Sequence, residues 1–265
     1  LDRDGTIVDT DKSVWTQGRT AWLLGELYNH PLCKDVPERA QWLETAESIL
    51  RFLMDHGFDP SDGRMWFHLT RDGKPIRKRR YAFSESFAAI AFGEVALATG
   101  KQEYADLAKK CFNRFVSHNL DPQGVTPKFT QTRTTTGIGF PMITINTASQ
   151  LRDSIGLESA NQWNERSIET IRRDFLKPHI KCVMETVGAN GERLDHFDGR
   201  TLNPGHAIEG DWFIMAEGQY RGDQSLIQKG LQMLDWMWER GWDQEHGGLL
   251  YFVSVDKRPI QEYWH

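Results

Sequence analysis

The segment Asn203-Pro204-Gly205-His206-Ala207-Ile208-Glu209-Gly210-Asp211-Trp212-Phe213 places an imidazole and a carboxylate three residues apart, directly after a Pro-Gly pair. On a helix those two positions are neighbours on one face. Asn203 is a good N-cap and Pro204 suits the first turn, so His206 falls at the positive end of the helix dipole. That end favours neutral imidazole and Glu209 pulls the other way, which points to a pKa near neutrality, as proton transfer prefers. Three readings stay open on the residues alone: a hydrogen-bonded histidine in a first helical turn, an acid/base, or part of a metal site. A metal would need at least one more ligand at matched spacing, and none stands nearby, so no metal is expected.

Other polar residues compete for attention. Arg19, in Trp15-Thr16-Gln17-Gly18-Arg19, follows aromatics and a glycine; it can snorkel, pair with a carboxylate or bind a substrate oxygen. Asn146 lies among the apolar residues of Pro141-Met142-Ile143-Thr144-Ile145-Asn146-Thr147-Ala148, where a buried amide must find partners. Phe83-Ser84-Glu85-Ser86-Phe87 suits a helix start with a capping serine and an early acidic residue. Arg77-Lys78-Arg79-Arg80 reads as a solvated basic run, and His246 as part of a hairpin entry before Gly247-Gly248. His30, His56, His68 and His118 carry no functional claim.

These residues need a scaffold, and apolar periodicity supplies it in pairs of helices: 12–29 with 36–57, 83–100 with 101–119, 141–155 with 159–176, and 204–220 with 223–240. The strand-like pieces 63–76 and 247–260 align without gaps, sharing Gly first, Asp tenth and Pro-Ile last. Each is expected to form a β-hairpin, turning at Asp72-Gly73 or Asp256-Lys257. The opening Leu1-Asp2-Arg3-Asp4-Gly5-Thr6-Ile7 matches the second half of that unit, so hairpin followed by helix is a repeat. By this alignment the chain opens inside one unit and stops where a further helix should begin. About eight helices in antiparallel pairs, with no parallel β-α-β alternation, point to an all-α fold that is incomplete here.

Composition narrows the partners. The 265 residues carry 32 Lys+Arg against 37 Asp+Glu, a formal net charge of −5, which sets up no field attractive to nucleic acid or an anionic membrane. No apolar run is long enough to cross a bilayer. Cys33, Cys111 and Cys182 are odd in number and widely spaced, as expected of reduced thiols in a cytoplasmic protein.

The chain resembles the N-acylglucosamine 2-epimerase family, whose animal members are also called renin-binding protein. The resemblance rests on DRDGTIVDTDKSVWTQGR, LTRDGKPI, FSESF, the segment from Pro141-Met142 to Asn146-Thr147, NPGHAIEGDWF and GWDQEHGGLLYF, in family order across the chain. It implies a single-domain (α/α)6 barrel over 1–265, partial, with short β-hairpins at its rim. It also implies exchange of the C2 proton of a sugar through an enediolate, interconverting N-acyl-D-glucosamine and N-acyl-D-mannosamine. An aldose-ketose isomerase acting on mannose or a related monosaccharide, or a non-catalytic sugar- or protein-binding member, are the alternatives.

By motif, His206 would be one of two acid/base histidines, and Glu209 would orient it or bind sugar hydroxyls. Arg19 would hold O1 and the oxyanion, and Asn146 would bind the sugar. The second histidine and a glutamate belong to sequence expected after Tyr263-Trp264, so the chain alone is expected to be inactive. Gln150 and Phe83 stand where the cellobiose branch carries histidine and tyrosine, which favours a monosaccharide or N-acyl amino sugar. No redox cofactor is required. Nucleotide (ATP) activation and homodimer formation stay open, although no G-x-x-x-x-G-K-[ST] loop is present.

Overall fold

A computed structural model describes residues 2–122, 124–125, 130–256 and 260. In chain order it contains β1 (Lys12–Ser13), α1 (Val14–Asn29), α2 (Arg39–His56), β2 (His68–Leu69), β3 (Pro75–Arg77), α3 (Phe83–Thr99) and α4 (Gln102–Leu120). There follow β4 (Thr135–Gly137), α5 (Gly139–Ile155), α6 (Ala160–Thr170), β5 (Leu176–Lys177), β6 (Cys182–Val183), β7 (Thr186–Gly188) and α7 (Phe197–Arg200). The last elements are β8 (Thr201–Leu202), α8 (Pro204–Arg221), α9 (Gln224–Gly241) and β9 (Val253–Ser254). All eight long helices fall where periodicity places them, except that the sixth gives way to a π-helical turn at Ile171–Phe175. Every strand pairing among the described residues is antiparallel. No helix among the described residues is long and apolar enough to cross a membrane.

The chain divides into two compact units, Leu1–Val125 with Thr147–Ala160, and Thr126–Asn146 with Asn161–His265; α5 begins in the second and ends in the first. In the first unit α3 is the central helix. Its residues from Ser84 to Ala96 are all buried, as a helix apolar on every side requires. A fully buried aromatic such as Phe92 contributes about 2–3 kcal/mol. Helix α1 approaches α3 closely at Gly18, where an added Cβ would stand 2.8 Å from the Phe87 carbonyl oxygen.

The FSESF segment departs from the expected cap. Ala82 occupies the N-cap with no side-chain hydrogen bond. Ser84 Oγ instead accepts from Trp15 Nε1 at 3.1 Å, and the Ser86 hydroxyl donates to Phe83 O at 2.9 Å. Glu85 is buried, accepts the Met65 N–H at 2.9 Å and lies 3.5 Å from Arg64 Nε. The sequence offers these serines only as local caps, whereas the fold uses Ser84 and Glu85 to fasten the segment to distant residues and leaves Ser86 in a local bond. The Arg77–Arg80 run is likewise engaged rather than merely solvated. Lys78 pairs with Asp59 and Asp62, Arg79 stacks over Phe67, and the Arg79 and Arg80 carbonyls accept from Arg64 and His118.

The internal repeat is present in three dimensions. Thr70 N–H donates to Lys74 O and Gly73 N–H to Thr70 O; Asp2, Thr6 and Gly5 form the same pattern. Gly73 and Gly5, at φ 81 and 88, adopt the left-handed conformation that glycine allows without strain. After α2 and again after α9, the chain closes a loop bridged by Phe58 and Met65 or by Trp242 and Leu249. In each loop an aspartate, Asp59 or Asp243, accepts backbone N–H groups two residues on.

The next strand then pairs with the one that leads into the earlier helix, β2 with β1 and β9 with β8. Thus β1-α1-α2-β2 and β8-α8-α9-β9 are two copies of one arrangement, aligned with Lys12 opposite Leu69 as Leu202 is opposite Val253. Pairing of β9 with β8 was not legible from the hairpin alignment. Apart from Ile260, the return strand expected after Asp256, from Lys257 on, lies outside the described residues, as do Tyr263 and Trp264.

Candidate active site

His206 occupies the first turn of α8, as its sequence context requires. Asn203 caps that helix, its side-chain oxygen accepting the His206 N–H at 3.1 Å. Asn203 and Pro204 are buried, so the turn is fixed, while the imidazole remains 43 % exposed. Its ring meets a residue that no motif indicated. Glu185, between β6 and β7, has both carboxylate oxygens 3.1 Å from His206 Nδ1. The Glu185 backbone is held in turn, because its carbonyl accepts the Ile138 N–H at 3.0 Å beside the β4–β7 ladder.

These surroundings set the charge on the ring. The hydrogen bond to Glu185 raises the His206 pKa above its ordinary value, burial opposes it, and the charges of Glu185 and Glu209 add to the rise. The sequence places Glu209 as the partner of the imidazole, but the hydrogen bond goes to Glu185. Glu209 is half-buried, forms no hydrogen bond or ion pair among the described residues, and acts on His206 through its charge.

Asp211, two residues further on, is fully buried, and among the described residues neither of its side-chain oxygens has a hydrogen-bond partner. Desolvation pushes its pKa up to about 7. It lies where α8 meets α9: an added Cβ on Gly230 would come within 2.9 Å of the Asp211 carbonyl oxygen.

Asn146 is half-buried on α5, and its amide makes no hydrogen bond among the described residues. The expectation of a buried amide with internal partners is therefore corrected: the side chain lies at the edge of the apolar stretch, within reach of solvent. Its neighbour Met142 packs beside Gly210 of α8. In the other unit, Arg19 is exposed on α1, with its guanidinium carbon 4.3 Å from the centre of the Phe87 ring. It too has no hydrogen bond or ion pair among the described residues. Gln150 accepts from Trp22 Nε1 at 3.0 Å, and Phe83 packs against Trp15 and Phe115.

No group of three or more potential ligands among the described residues could hold a metal. Cys111 and Cys182 are buried, Cys33 is partly exposed, and all three are free; burial raises the two buried thiols, which makes them poor nucleophiles. His246 is exposed and lies 3.6 Å from Asp243, within the loop after α9.

The paired antiparallel helices are those of an (α/α)6-barrel protein, the fold of sugar-epimerase structures. A cellobiose 2-epimerase from Bacillus thermoamylovorans superposes with a TM-score of 0.76 at 17 % identity, covering 93 % of this chain and 65 % of that one. A D-mannose isomerase gives 0.76 at 16 % identity over 96 % and 67 %. The N-acylglucosamine 2-epimerase (GlcNAc 2-epimerase) family model matches residues 1–264, and the chain belongs to that family. It is 32 % identical to the N-acylglucosamine 2-epimerases of Bos taurus and Homo sapiens over its whole length. It spans 63 % and 62 % of those proteins.

Proposed function

We propose that the protein carrying this chain is a sugar 2-epimerase that interconverts N-acyl-D-glucosamine and N-acyl-D-mannosamine. The observation that carries the reading is His206: a ring fixed by a capped helix start, open to solvent on one side, with its basicity raised by two carboxylates. In the open-chain sugar the C1 aldehyde acidifies the C2 proton. A base of this kind removes it to give an enediolate, and proton return to the opposite face inverts C2. The names of the relatives support the choice of an N-acyl amino sugar.

Arg19 is assigned to the C1 oxygen and the developing oxyanion on its motif, and Asn146 to sugar hydroxyls. Both present polar groups with no internal hydrogen-bond partner among the described residues, as residues kept for a ligand should. No redox cofactor or metal enters the scheme.

The test is to incubate the full-length protein with N-acetyl-D-mannosamine in deuterated water. Deuterium at C2 of both epimers is the expected result. A ketose product would move the assignment to an aldose-ketose isomerase, and no exchange with any aldose would overturn the enzymatic reading.

A further inference from the structure

We infer that Glu185 is a positioning residue that holds His206 in the tautomer protonated on Nδ1, leaving Nε2 as the atom that exchanges the proton with substrate. The inference deepens the epimerase reading and rests on it for the identity of the substrate.

The argument begins with donor and acceptor chemistry. An ionised carboxylate can only accept, so a ring nitrogen 3.1 Å from both of its oxygens must carry the proton. In neutral imidazole the other nitrogen then holds the lone pair, and the tautomer is decided by the bond the first one makes. A bifurcated contact also fixes the ring plane, since rotation about the Cβ–Cγ bond would break both approaches together.

The remaining features fit this purpose. The Glu185 backbone is anchored to Ile138, and its side chain is only 24 % exposed, so the acceptor is presented at a set place. Glu209 forms no hydrogen bond to the ring and cannot set its tautomer. The rise in the His206 pKa has the direction that such a contact produces.

The test uses full-length protein with 15N-labelled histidine, comparing wild type with Glu185→Gln and Glu185→Asp. The wild-type His206 should show protonated Nδ1 and unprotonated Nε2 when neutral. In E185Q the Nε2-protonated form should appear, the titration of His206 should move to lower pH, and kcat for C2 exchange should fall roughly 100-fold with KM little changed. E185D should recover part of the tautomer preference. A folding control is built in, because the Ile138 bond goes to the main-chain carbonyl and survives the change.

An unaltered tautomer and titration in E185Q would overturn the assignment, as would unchanged kcat in that variant while His206→Ala abolishes exchange. If wild type exchanges no sugar, the epimerase reading fails, and the tautomer measurement still decides the role of Glu185.

Discussion

The guanidinium of Arg19 stacks over the ring of Phe87 at 4.3 Å, and the adjacent Gly18 allows the two helices to come this close. A Cβ at position 18 would meet the Phe87 carbonyl oxygen at 2.8 Å and its carbon at 2.9 Å, neither of which can move without the α3 backbone. Gly18→Ala is therefore expected to destabilise the fold by about 1–3 kcal/mol in urea unfolding. It should also displace Arg19 and raise KM. A variant with wild-type stability would show that α1 and α3 have room to spare.

Asp211 makes stability depend on pH. Its folded pKa of about 7 lies above the ordinary 3.8, so the folded state binds more protons than the unfolded chain between these values. Stability should fall as pH rises from about 4 to 7 and level off beyond. The separation corresponds to roughly 4 kcal/mol as an upper figure. Asp211→Asn should raise Tm at pH 8, leave it nearly unchanged at pH 4, and flatten the profile between. Equal effects at both pH values would contradict this.

Glu185 and Glu209 should contribute unequally to the basicity of His206. The first makes a hydrogen bond and the second acts through charge alone. Glu209→Gln is expected to lower the NMR-measured pKa of His206 by less than Glu185→Gln does. Protonated His206 stabilises the fold below its unfolded value, near 6.5, and that contribution is lost as pH rises through the folded value. The dependence should shrink in both variants, more in E185Q.

Asn146 offers a separation of binding from stability. With no internal hydrogen bond among the described residues, Asn146→Ala should change unfolding free energy by no more than about 0.5 kcal/mol. Titration with N-acetyl-D-mannosamine should nevertheless show weaker binding. A large loss of stability would mean that the amide belongs to the core.

Most of the helical frame was legible because apolar periodicity survives in each long helix, and Asn203 and Pro204 mark the start of α8. The site was only half legible. His206 lies in a capped turn that local sequence specifies, whereas Glu185 sits 21 residues earlier between two-residue and three-residue strands, where no period exists. Its role arises from the β4–β7 pairing, a non-local event. Asn146 misled for the opposite reason: its neighbours are apolar, but helical rotation carries its own side chain to the boundary of that surface. FSESF suggested a local cap because its long-range partners, Trp15 and Met65, leave no mark within five residues.

The two copies of the strand-helix-helix-strand arrangement bear on how chemistry is distributed over the chain. Arg19 is the sixth residue of α1 and Glu209 the sixth of α8, so one structural slot holds a cation in one copy and an anion in the other. The slot lies past the first turn, where a charge no longer feels the helix end strongly. Its occupant can therefore change sign at little cost to the helix that bears it. Duplication of a scaffold element, in this fold, multiplies positions at which reactive groups can be varied independently of the framework.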